Sequence, residues 1–107
     1  ARLNSGVRPQ MEIVAQADYN WTLLADEARK YFSALGGGVA AYVIDVELSS
    51  EEAAALAVGM PRAANDLADR VRRNEPAYRE RHIPDFSARE DVRLAGLRWR
   101  KARRAEA

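Results

Sequence analysis

Two carboxylates, Asp45 and Glu47, stand two residues apart in the stretch VAAYVIDVEL. On a strand that spacing puts both on one face, and a carboxylate pair can do acid–base work. The wet edge of a sheet is the commoner home for such a pair, and that is the reading adopted here. His82 is the only histidine, set between Arg81 and Ile83, with no second base or ligand beside it in the sequence. Ser49, Ser50 and Ser87 stand where helices start and read as caps rather than nucleophiles. Ser5, Ser33 and the single Thr22 have no neighbouring base. Gly36-Gly37-Gly38 precedes a strand and lacks the Lys-Ser/Thr of a phosphate loop. There is no cysteine, which removes disulfides, thiolate metal sites and thiol nucleophiles together. The expectation is a non-enzymatic protein with no catalytic residue, no cofactor, no metal and no small-molecule substrate.

The stronger signal is basic. Arg93, Arg98, Arg100, Lys101, Arg103 and Arg104 fall within twelve residues near the C-terminus. Val92, Ala95, Trp99 and Ala102 recur among them at spacings of three and four, one face of a helix, and Leu94 and Leu97 widen it. Cations late in a helix complement its dipole and can serve only as a solvated face. They can also grip phosphate, with affinity that falls as salt rises, or dock on acidic protein. These six residues, with Asp45 and Glu47, are the candidate partner-binding set.

The elements that must position them read as mainly α: about four helices, with one short strand or hairpin near residues 39–48. Residues 1–9 read as a flexible arm. Residues 10–107 form a single small helical domain that ends in a basic amphipathic helix over 88–105. From Gln10 to Leu35, Val14, Trp21, Leu24, Ala28, Phe32 and Leu35 recur at helical spacings, although Met11–Ala15 alone also suits a short strand. The three glycines then supply a C-cap and a hinge. In the strand, Tyr42, Ile44, Val46 and Leu48 point one way and Val43, Asp45 and Glu47 the other. Its pairing partner lies either within the chain or on another subunit.

Ser49 and Glu52 have capping-box spacing, as do Ser87 and Glu90. Gly59 and Pro61 separate a short Ala-rich helix from a second with the stripe Ala64, Leu67, Ala68 and Val71. That pair, 50–73, has the outline of a helix-turn-helix. Its second helix, however, offers Asp66 and Asp69 beside Arg62 and Asn65 on the face that would read bases. Between Pro76 and Phe86, Tyr78, Ile83 and Phe86 read as anchors of a connector. The expected core is Trp21, Leu24, Phe32, Tyr42, Ile44, Val46, Leu56, Leu67, Val71 and Trp99.

The whole chain carries a net charge of +1, but the halves differ. Residues 1–60 hold four basic and eight acidic side chains, a net of −4, and residues 61–107 hold thirteen and eight, a net of +5. Such polarity bears on partners and association rather than on fold. Arg outnumbers Lys fifteen to two, a bias of a GC-rich genome. No apolar run approaches the ~20 residues of a membrane span, and the first residues lack the apolar core of a signal peptide. The expected place is therefore the cytoplasm, or a virion if the gene belongs to a phage. The leading expectation is a structural or adaptor subunit of a larger assembly, such as a head–tail component of a phage virion. It would work through protein partners in a homo-oligomer or multi-subunit assembly, without a membrane. The alternative is a DNA-binding protein using the 50–73 helix pair or the basic C-terminal helix.

Overall fold

In the computed structural model, which describes residues 10–36 and 42–106, the chain is a mixed α/β fold. Strands β1 (Glu12–Ala17), β2 (Trp21–Ala25), β3 (Lys30–Leu35) and β4 (Val43–Glu47) form one antiparallel meander in that order. Helices α1 (Ser50–Gly59), α2 (Arg62–Arg73), α3 (Glu75–Arg79) and α4 (Glu90–Glu106) follow, with a short 3₁₀ turn at Phe86–Ala88 before the last. The mainly α reading with one short strand is thus corrected: the stretch expected to be a helix over 10–35 is three strands. The expected arm at residues 1–9 lies outside the described residues, as do Gly37, Gly38 and the start of the expected strand.

The error has a physical cause. The sheet carries helices on both faces, so its inner strands are buried on both sides and do not alternate. In β2, Trp21, Leu23 and Leu24 are all buried; in β3, Tyr31, Phe32 and Ala34 are. A continuous apolar run of this kind can imitate a helical stripe. The breaks in the run are turns. Asn20 N–H donates to the Ala17 carbonyl across the first. In the second, one Asp26 carboxylate oxygen accepts from the backbone N–H groups of Ala28 and Arg29, a local bond that favours a turn over a helix. Val14, expected on the buried stripe, sits at a register shift between Ile13 and Ala15 and is half exposed.

Gly36 does not cap a helix. It leaves β3, and its N–H donates to the Tyr42 carbonyl at 2.7 Å as the chain enters β4. A side chain there would run into the Tyr42 ring. β4 pairs with β3 inside the same chain, Phe32 opposite Val46 and Ser33 opposite Asp45.

On one face of the sheet, α1 and α2 cover Trp21, Leu23, Phe32, Ala34, Ile44 and Val46. Here the sequence patterns hold. Ser49 and Glu52 form the reciprocal capping box, and Ala64, Leu67, Ala68 and Val71 are the buried residues of α2. Trp21 and Phe32 stack at 5.9 Å between ring centroids, and the Trp21 indole N–H donates to the Asn65 side-chain oxygen at 2.8 Å.

On the opposite face, the 3₁₀ turn and α4 cover Met11, Leu24 and Tyr31 with Phe86 and Ala95. The Ser87–Glu90 capping box is absent: Ser87 lies in the 3₁₀ turn, and the extended residue ahead of α4 is Arg89. Val92, Ala95 and Trp99 turn toward the sheet, but Leu94 and Leu97 point to solvent and do not widen the packed face. Of the expected core, Tyr42 and Trp99 are only partly buried and the other eight are buried.

Candidate functional site

α4 crosses the sheet as one long unit, 17 residues or about 25 Å at 1.5 Å per residue. Packing on Ala95 and half-burial of Val92 and Trp99 fix its rotation, and that rotation sorts the six candidate cations. Arg98 turns inward and donates to the Met11 carbonyl at the end of the sheet. Arg103 lies over the Trp99 ring, 5.9 Å from its centroid, and reaches Asp18 at 3.4 Å. Arg93, Arg100, Lys101 and Arg104 remain exposed, and none of the four has a carboxylate partner among the described residues. Elsewhere the arginines are largely engaged: Arg29, Arg72, Arg79, Arg81 and Arg89 each face an Asp or Glu. Lys30, Arg62, Arg70 and Arg73 are likewise exposed without such a partner, so what sets α4 apart is the close spacing of its four free cations.

Beside it the β1–β2 turn supplies an aromatic that the sequence reading missed. Tyr19 is 94% exposed and holds a positive φ of 62°. A left-handed backbone costs a non-glycine residue on the order of 1 kcal/mol, and such outliers gather at functional sites. Tyr19, Trp99, Arg100, Arg103 and Arg104 line an open cleft of about 560 Å³. The Trp99 indole N–H donates to the Gln16 side-chain oxygen at 3.1 Å, which fixes the ring in the cleft wall. A turn residue carries no periodic signal, so only its unusual type at that place could have marked it.

The two acidic candidates separate. Glu47 is exposed, 4.0 Å from Arg29. Asp45 is only 5% exposed, which corrects the expectation of a wet acidic face. The connector after α3 folds over it. Asp45 N–H donates to His82 Nδ1 at 3.0 Å, Ile83 N–H donates to the Asp45 carbonyl at 2.8 Å, and Arg81 donates to the Glu47 carbonyl at 2.8 Å. These bonds close the outer edge of β4, so that edge is not the free docking strand the sequence suggested. His82 takes its place here as an acceptor, through Nδ1.

The Asp45 side chain ends a second unforeseen feature. Gln16, Thr22, Ser33 and Asp45 are successive cross-strand neighbours, one per strand, on the face under α4. Gln16 donates to the Thr22 hydroxyl at 2.8 Å. Burial pushes the Asp45 carboxyl above its ordinary range, while the Ser33 hydroxyl and the nearby His82 pull it partway back. This polar row floors a cavity of about 340 Å³ that α4 roofs with Arg93, Gly96 and Arg100. The four residues are spread over thirty positions of sequence, so only strand pairing brings them together.

The helix-turn-helix outline fares worse. α2 faces the sheet with its apolar stripe, and Asn65 is held by Trp21. What α2 leaves outside includes Asp66 and Asp69, the latter paired with Arg72. Among the described residues no three His, Asp or Glu side chains converge as a metal site, and no helix is long and apolar enough to cross a membrane. Comparison with family models, with curated proteins and with solved structures finds no match to this chain.

Proposed function

We propose that this chain is a non-enzymatic adaptor subunit that docks on an acidic protein partner through the outer side of α4 and the Tyr19 cleft. The observation that carries the reading is the set of unpartnered cations Arg93, Arg100, Lys101 and Arg104 beside an exposed Tyr and a half-buried Trp. Tyr, Trp and Arg are the residue types that dominate protein interfaces. Elsewhere five arginines face carboxylates of the same chain, and the free cations of α2, Arg62, Arg70 and Arg73, share their helix with Asp66 and Asp69. Leu94 and Leu97, exposed between the cations, add apolar area that a protein surface can cover and a phosphate backbone cannot. The acidic N-terminal half of a neighbouring copy is one surface of suitable charge.

The test is a binding titration of the full chain with poly-glutamate at rising salt. Binding is expected at low salt, with a Lys101→Ala, Arg104→Ala variant weaker by about tenfold or more. A control variant, Arg62→Ala with Arg73→Ala, removes two exposed cations of α2 and should bind as the parent does. Equal loss in both variants would reduce the interaction to net charge and overturn the assignment to α4.

A second reading draws on the same cleft. An exposed aromatic beside free arginines also suits single-stranded nucleic acid, where bases stack and cations meet phosphates. It competes with the first through a direct comparison of the two polyanions.

A further inference from the structure

A protein core of this size normally closes the space between a sheet and the helix packed on it with apolar side chains. Under α4 that happens at both ends of the contact but not in the middle. Phe86 and Leu24 are buried toward one side, and Trp99 closes the other. Between them lies this cavity of about 340 Å³, open to solvent on one side and at the small end of ligand-sized pockets. Its floor is the row Gln16, Thr22, Ser33 and Asp45, and its apolar walls are Leu24, Phe86 and Val92.

Two features of the charge distribution are unusual. Asp45 is a 95%-buried residue that no Lys or Arg pairs with among the described residues. The Ser33 hydroxyl and His82 stabilise it in part, but a buried carboxylate without a Lys or Arg remains costly. At the roof, Arg93 and Arg100 line the same cavity, likewise without a carboxylate partner among the described residues. A negative group at the floor and positive groups at the roof, with apolar walls between, fit a small molecule that carries both charges in the opposite sense.

We propose that this cavity binds a small amino-acid-like zwitterion, with its cationic group on Asp45 and its anionic group against Arg93 and Arg100. Ser33 and Thr22 offer hydroxyls beside the cationic group, and Phe86, Leu24 and Val92 take the apolar body. The Ser33 hydroxyl is hydrogen-bonded to Asp45, and the pair serves to hold the molecule. The cavity shares Arg93 and Arg100 with the docking face but not Lys101 and Arg104, which do not line it, nor Asp45, which is not exposed to a partner. Arg93 and Arg100 belong to both surfaces, so an occupied cavity would leave the docking face with two free cations fewer.

The experiment is thermal unfolding of the full chain with each protein-forming amino acid in turn. Butylamine, acetate and inorganic phosphate serve as single-ended probes. At ten times its Kd a ligand contributes roughly RT ln 11, which for a chain of this size is a shift of about 5 °C or more. At least one amino acid is expected to give such a shift, exceeding every single-ended probe. Asp45→Asn removes the floor charge in the same shape and should weaken that ligand at least tenfold without lowering the melting temperature of the free protein. Arg93→Gln, at an exposed position that folding does not need, should weaken it as well. The proposal is overturned if no amino acid shifts the transition, if phosphate matches the best of them, or if both variants bind as the parent does.

Discussion

Asp45 shows why a residue's neighbours in sequence do not fix its chemistry. Read along the chain, it alternates with apolar residues and should face water beside Glu47. In the fold the connector covers it and the cavity under α4 takes its carboxylate. Because burial raises its pKa above the ordinary Asp value, the folded chain holds the proton more tightly than the unfolded chain. Stability from this group is therefore full below the ordinary Asp range and is lost as pH rises through the raised value. The gain of Asp45→Asn over the parent in thermal unfolding should then be largest at neutral pH and shrink toward zero at acid pH; a gain independent of pH would contradict the assignment. His82 was equally opaque. A lone histidine carries no signal until the connector brings its Nδ1 to the Asp45 N–H. Removing the ring leaves that buried-edge donor unpaired, so His82→Ala should cost about 1–3 kcal/mol in denaturant unfolding.

At the scale of elements, legibility followed local physics. The capping box at Ser49 and Glu52 and the apolar stripe of α2 depend on spacings of three and four within one helix, and both stood in the sequence. Ser49→Ala should lower stability by about 1 kcal/mol, read as a shift in the urea midpoint. The same change at Ser87, which caps nothing, should leave the midpoint nearly unmoved. The strands were illegible for a reason built into the architecture. A sheet sandwiched between helices buries both faces of its middle strands, so alternation disappears where it would be most needed. Only β4 kept part of the pattern, with Ile44 and Val46 buried and Val43 and Glu47 exposed. The polar row Gln16–Thr22–Ser33–Asp45 could not be foreseen without the strand register. Arg81 was also unmarked, yet it joins three elements: it binds the Glu52 carboxylate through two nitrogens, at 2.7 and 3.0 Å, and the Glu47 carbonyl with the same side chain.

For the whole molecule, the charge split seen in the sequence gains a geometry. Five arginines outside α4 face carboxylates nearby; four cations of α4 do not, nor do Lys30, Arg62, Arg70 and Arg73 elsewhere. The α4 cations form one ridge, and it was the part of the candidate site most legible beforehand, because six cations in twelve residues need no fold to be noticed. Which of them are free needed the rotation of α4, fixed by Ala95 and Trp99. Interaction through such a ridge weakens with ionic strength, since exposed charges more than about 8 Å apart are screened at physiological salt. The most direct measurement of the central claim is the affinity of the full chain for poly-glutamate and for single-stranded and duplex DNA of matched charge, side by side at physiological salt. The account predicts that the acidic polypeptide binds most tightly; tighter binding of either nucleic acid would contradict it.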